Sequence, residues 1–264
     1  MAGLAGGMGA GEADAGGRAA EVGAGGLPGE EKENPNLPVV KIVSLDDFSQ
    51  VVAETAKSAV GDFVLIGGLA VGAWAQYFKV PTGGPVFSKD IDLRGTRLVA
   101  QAMAQGMKLR GAKIKGLVAA RRKEPAGLGM NFVVPLDLAD GRSTVIEVLE
   151  ALPWVDDGPD RPYGFGVEVE GIPLLDPLSL FIGKLHAWHH RNDPEKTSND
   201  RLHLELLGEI IPQFLTEAER RGVDTRERRE VLLGFLDLHT TPLSPVALAG
   251  LREALQTGET PSSR

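Results

Sequence analysis

Cysteine is absent from this 264-residue chain, which excludes a disulfide framework, a thiolate nucleophile and any Cys-based zinc or iron–sulfur site. Uninterrupted apolar sequence long enough to cross a bilayer is absent too, so no membrane partner is expected. Residues 1–37 lack the continuous Leu/Val/Ile core that a signal peptide needs. They are Ala/Gly-rich with scattered acids and prolines, too poor in large apolar side chains to offset the entropy of ordering, and read as a disordered tail. A positive excess is missing: the net charge of −8 argues against a general nucleic-acid coat. Also missing are a Gly-x-Ser-x-Gly elbow, a Walker-type phosphate loop and a Rossmann Gly-x-Gly-x-x-Gly after a strand. A cytoplasmic protein is the expectation.

What is present is 42% hydrophobic sequence, enough for a substantial core. Ser44 caps an expected helix whose apolar residues run from Leu45 to Ala56 at helical spacing. Phe63 to Ile66 reads as a buried strand, ended by Gly67-Gly68, which opens a helix over about Leu69 to Phe78. A Pro/Gly loop leads to a strand through Asp90 and Asp92, and Thr96 caps a helix to about Met107. Met130 to Leu138 and Thr144 to Leu149 are strand-like runs joined at Asp140-Gly141, a hairpin signal, and Gly164 to Ile172 alternates as a further short strand. From Asp176, an N-cap with Pro177 behind it, helical periodicity dominates to about Gln256. The expected organisation is a tail (1–37), a mixed α/β domain (38–175) and a helical domain (176–264).

Side chains alternate across a strand, so Asp90 and Asp92 share one face while Ile91 and Leu93 take the other. Two coplanar acids form an oxygen-rich site for Mg²⁺. One helix upstream, the Gly67-Gly68 turn lets backbone N–H groups and a helix N-terminus approach an anion closely. In the later helix, spacing puts Lys184, Trp188 and Arg191 on one face, so two cations can point at a triphosphate or polynucleotide backbone. His186 and His190, at i and i+4, offer a competing zinc reading with His189 or His203 nearby, without the Glu of a metalloprotease helix. The basic stretch Lys108 to Lys123 suits an RNA acceptor or, more plainly, a solvated helix face.

IGGLAV followed by SKDIDL resembles the nucleotidyltransferase superfamily, whose minimal pattern is a strand ending in Gly-Gly or Gly-Ser, a helix, then an Asp-x-Asp strand. About 21 residues separate Gly68 from Asp90, a surplus that falls most simply in the loop Lys79 to Pro85. The segment from Asp176 resembles the nucleotidyltransferase-like toxins of the abortive-infection AbiE type, through Lys184, Leu185, Ala187 and Arg191, then Asp200. Where many relatives carry a second acid, this chain has His203.

The resemblance implies an α/β (α+β) fold with a small mixed sheet of the nucleotidyltransferase type and flanking helices, followed by a helical C-terminal domain. It implies Asp90, Asp92 and a third acid holding two Mg²⁺ ions, with Glu147 favoured for that role over Asp137. Gly67, Gly68 and Ser88 would contact the β- and γ-phosphates of a nucleoside triphosphate, with Lys184 neutralising their charge and Arg191 and Asp200 also counted among the nucleotide-binding residues. The implied activity is transfer of a nucleoside monophosphate to a hydroxyl of an RNA (tRNA-like) or protein acceptor, in a toxin with an antitoxin protein as partner. A non-catalytic nucleotide- or partner-binding member of the same fold is the alternative. A sugar-nucleotide glycosyltransferase, which also uses Asp-x-Asp, ranks last because it needs no Gly-Gly one helix upstream.

Overall fold

The computed structural model describes residues 63–82, 90–109, 113–114, 118–121, 130–137, 143–150, 152, 168–169 and 172–258. The expected helix after Ser44, Ser88 and the Asp140-Gly141 turn lie outside them, as does the tail. All described residues belong to the compact unit Pro38–Arg264. None of their helices is long and apolar enough to cross a membrane.

The fold is mixed α/β. Strands Phe63–Leu65 (β1), Asp90–Gly95 (β2), Lys113–Ile114 (β3), Val118–Arg121 (β4), Met130–Asp137 (β5) and Ser143–Leu149 (β6) form one sheet, in the order β1-β2-β6-β5-β3 with β4 also on β5. The β2–β6 pair is parallel, while β1–β2 and β5–β6 are antiparallel. Glu168–Val169 (β7) and Ile172–Pro173 (β8) pair as a separate two-stranded sheet, so the described residues of the run expected as one strand fall in two paired strands. Of the described residues of the basic stretch, Lys108 and Leu109 end a helix and the others supply β3 and β4, both paired antiparallel with β5.

Period-two alternation sorts the sheet into two faces. Ile91 and Leu93 are fully buried and register with Ile146 and Val148, which in turn face Val134 and Phe132 on β5. These rows bury one apolar face, each such side chain contributing roughly 1.5–3 kcal/mol. Helix Arg97–Leu109 (α2) lies on this face: Val99 comes close to Val148 over Gly95, and Met103 is buried. Thr96 starts it, accepting from the Val99 N–H at 3.3 Å. The opposite face carries the acids.

Helix α1 (Gly67–Phe78) begins two residues earlier than the apolar pattern suggests, with Ile66 as its N-cap. It ends where Lys79 turns left-handed, φ 55°, its N–H bonded to the Ala75 and Gln76 carbonyls. Four further helices follow: Pro177–His190 (α3), Pro194–Arg220 (α4), Arg226–Leu238 (α5) and Pro245–Thr257 (α6). Asp176 caps α3, accepting from Ser179 N–H at 2.9 Å, with Pro177 in the first turn as expected. Its second oxygen is held by Arg228 of α5, a buried ion pair. The helical part and the sheet share one core through α1, whose buried Trp74 meets Phe214 of α4 edge-on at 5.6 Å.

Candidate active site

The site begins at the β1–α1 turn. Ile66 N–H bonds to the Asp92 carbonyl at 2.9 Å, which ties the end of β1 to the middle of the acidic strand. Gly67 then adopts φ 73°, a conformation that glycine enters without steric penalty. A Cβ at Gly67 would lie 2.8 Å from the Asp92 Cβ and Cγ and overlap Oδ2, so the glycine is what lets this carboxylate lie against the turn. Ile66 offers no side-chain cap, and the first turn holds no acid. The N-terminal dipole of α1 is therefore left uncompensated by its own side chains.

The second acid comes from β6. Parallel register sets Glu147 directly beside Asp92, and Asp90 beside Val145 one step along the same face. Asp92 is consequently a strained acid: burial, then Glu147, then Asp90, push its pKa up to about 7, against a downward pull from Lys184 and Arg191. Asp137 registers with Ser143, four residues along β6 from Glu147, at the other end of the strand pair.

The opposite wall is α3, brought in by two hydrogen bonds that span more than a hundred residues. Leu175 N–H bonds to the Leu65 carbonyl at 3.0 Å, and Trp74 Nε1–H to the Leu175 carbonyl at 2.8 Å. With its start thus fixed beside Gly67, α3 turns Ser179, Gly183, Lys184 and Arg191 toward Asp92 and Glu147 across a cavity of about 100 Å³. Lys184 Nζ donates to Asp200 Oδ1 at 3.0 Å, and Arg191 to Oδ2 at 2.7 Å. Asp200 is 1% exposed, behind the cavity wall, and holds both cations from α4. One turn on, His203 is buried, and neither ring nitrogen has a hydrogen-bond partner among the described residues. Burial, with Lys184 and Arg191 beside it, holds its pKa well below the usual imidazole value.

The expected site residues thus divide. Gly67, Asp92, Glu147, Lys184 and Arg191 line one cavity. Asp90 acts on it through charge, Asp200 supports it from behind, and Gly68 is buried in the first turn of α1. Ser179 and Gly183 were not singled out from the sequence, although their spacing with Ala187 puts three small residues on the face of α3 that meets the sheet. The zinc reading fails for the described residues. The His186 and His190 rings lie 4.4 Å apart, tilted by 43°, but His189 contacts the Thr240 carbonyl and His239, while His203 is buried on α4. No third ligand joins the pair.

Among the described residues no three carboxylate or imidazole groups already stand close enough to hold a metal ion. The donor set nevertheless suits a hard divalent cation: all-oxygen, acidic, and mutually repelling until a positive charge offsets it.

The chain matches no family model and no curated protein. Among solved structures it is similar to an antigenic nucleotidyltransferase-like protein from Paracoccidioides brasiliensis, at 15% identity and TM-score 0.43, over 81% of this chain and 95% of that one. It is also similar to the antibiotic-resistance factor ANT(2'')-Ia, at 13% identity and TM-score 0.33, over 72% of this chain and 95% of that one.

Proposed function

We propose that this protein is a Mg²⁺-dependent nucleotidyltransferase that moves a nucleoside monophosphate from a nucleoside triphosphate to a hydroxyl of an RNA or protein acceptor. The observation that carries the reading is the parallel register of Asp92 with Glu147, facing Lys184 and Arg191 across a cavity that Ile66 and Gly67, at the start of α1, also line. Acids on one wall and cations on the other suit a polyphosphate bridged to metal. Asp90, Asp92 and Glu147 would hold the ions, which when bound supply Lewis-acid polarisation of the α-phosphate.

The chain's own groups carry the rest. Lys184 and Arg191 offset charge on the β- and γ-phosphates, already aimed by Asp200 so that little ordering remains on binding. Gly67 admits phosphate oxygens close to the first backbone N–H groups of α1. A Glu147 oxygen accepts the proton of the attacking hydroxyl. The toxin role and an antitoxin partner follow from the AbiE resemblance alone. A non-catalytic binding member of the same fold is the second reading, favoured by the modest cavity of about 100 Å³ and by the open spacing of the acids.

Incubation with each labelled nucleoside triphosphate, Mg²⁺ and total RNA or protein decides between them. Label transfer with pyrophosphate release, lost in Asp90→Asn/Asp92→Asn, is the expected result. Nucleotide binding without pyrophosphate release under any condition would establish the binding member instead.

A further inference from the structure

A second cavity adjoins the first. It holds about 570 Å³ and lies between the end of α3, the start of α4 and the α5–α6 connection, lined by Trp188, Arg191, Thr197, Ser198, Arg201 and Pro242 among others. Arg191 lines both cavities. The smaller has room for phosphate groups; the larger is in the range of sites that take a whole nucleotide.

The lining is chemically selective. Among the described residues it contains an aromatic ring, two guanidinium groups and two hydroxyls, with no carboxylate, on a chain whose net charge is −8. Trp188 is anchored from behind: it packs on the core, and the His189 ring meets it edge-on at 4.8 Å. His189 is in turn fixed to the Thr240 carbonyl at 2.9 Å, in the connection that also supplies Pro242. An indole held this way is a stacking platform with little ordering left to lose. Arg201 is 62% exposed, and its tie to Glu205, itself 45% exposed, is an i,i+4 surface pair that a phosphate can displace. An aromatic platform flanked by cations is how proteins hold single-stranded nucleic acid.

From this we infer that the second cavity seats a nucleotide of a single-stranded RNA acceptor, its base against Trp188 and its phosphate on Arg201, so that the strand's hydroxyl is presented to the adjoining carboxylates. The inference rests on the transferase reading and narrows its acceptor from RNA or protein to RNA. The bond formed is between that hydroxyl oxygen and the donor's α-phosphorus. The bond broken is from the α-phosphorus to the bridging oxygen, and pyrophosphate carries away the electron pair.

The test uses the full chain and a fluorescent single-stranded RNA of about twelve nucleotides, within the span of such sites. Anisotropy is read with Trp188→Leu and Arg201→Gln, and nucleoside triphosphate binding is measured on the same samples. Circular dichroism confirms that Trp188→Leu is folded, and the exposed Arg201 provides an independent variant. Expected are a loss of RNA affinity of about tenfold for Trp188→Leu, within the range for removing one stacked base, and a several-fold loss with a shallower salt dependence for Arg201→Gln. Nucleoside triphosphate binding should be unchanged in both.

Equal RNA affinity in wild type and both variants overturns the proposal. So does loss of triphosphate binding in both, which would make this the donor's cavity, and so does labelling of a protein acceptor with no RNA binding. Wild type that binds RNA through these residues yet releases no pyrophosphate would sink the transferase reading and leave the RNA site standing.

Discussion

Asp92 lies against Gly67 so closely that any Cβ there would overlap its carboxylate oxygen. The Gly67-Gly68 turn and the acidic strand are thus a single packed unit, joined also by the bond from Ile66 N–H to the Asp92 carbonyl.

Gly67→Ala should therefore damage fold and site together. The methyl group meets Asp92, and φ 73° is a left-handed conformation that costs an L-residue about 1–2 kcal/mol by itself. A urea midpoint lowered by more than that backbone cost, with loss of nucleotide binding, is the expected outcome. Unchanged stability would mean that Asp92 moves aside freely.

Asp92→Asn should stabilise the metal-free protein. The folded pKa, about 7, lies above the ordinary 3.8, so the folded state holds its proton more tightly and the penalty is full above pH 7, easing as pH falls toward 3.8. The variant should melt a few degrees higher at pH 8, with a smaller gain at pH 5. Mg²⁺ should raise the wild-type melting temperature and leave that of the variant unmoved.

Asp200→Asn removes the ion partner that Lys184 and Arg191 share. Breaking a fully buried pair from one side costs about 3–5 kcal/mol; with Arg191 40% exposed and screened by water, a smaller loss is expected. The double variant Lys184→Met/Asp200→Asn should recover part of that loss in chemical denaturation, because fewer unpaired charges remain. Strict additivity of the two changes would show that the groups are not coupled.

His203 makes stability fall on the acid side. Burial and its two cationic neighbours keep the folded ring neutral, whereas the unfolded ring takes a proton as pH drops through about 6.5. The unfolded state then binds more protons, so stability is complete above that pH and declines below it. His203→Leu should flatten the decline between pH 7 and 5.5. It should also gain about 1 kcal/mol at neutral pH by removing a buried ring with no hydrogen-bond partner among the described residues.

Much of the site was legible in local pattern. Alternation at Asp90 to Leu93 announced which side chains share a face, and the structure has Ile91 and Leu93 buried with the acids on the other side. Asp176-Pro177 announced the start of α3, and a spacing of two helical turns associated Lys184 with Arg191, which follows the last residue of α3 as its C-cap. The helix-face alternative for the basic stretch failed because β5 offers its described residues an antiparallel edge, a partner that no local propensity encodes. The described residues of the strand expected from Gly164 to Ile172 fall in two strands for a related reason: Val169 pairs with Ile172, and Glu168 with Pro173.

By itself, then, the sequence determined which groups can lie together on one strand or one helix, because periods of two and of 3.6 residues are local geometry. It set Asp90 beside Asp92 and opened α1 at a glycine pair. Only the tertiary structure decided that Glu147 stands next to Asp92, that α3 faces both, and that Asp200 supports the cations from behind. Those relations depend on the register of a parallel strand pair and on the docking of Leu175 beside Leu65. Both are set by burial of shared apolar surface across long stretches of chain, which no window of sequence contains.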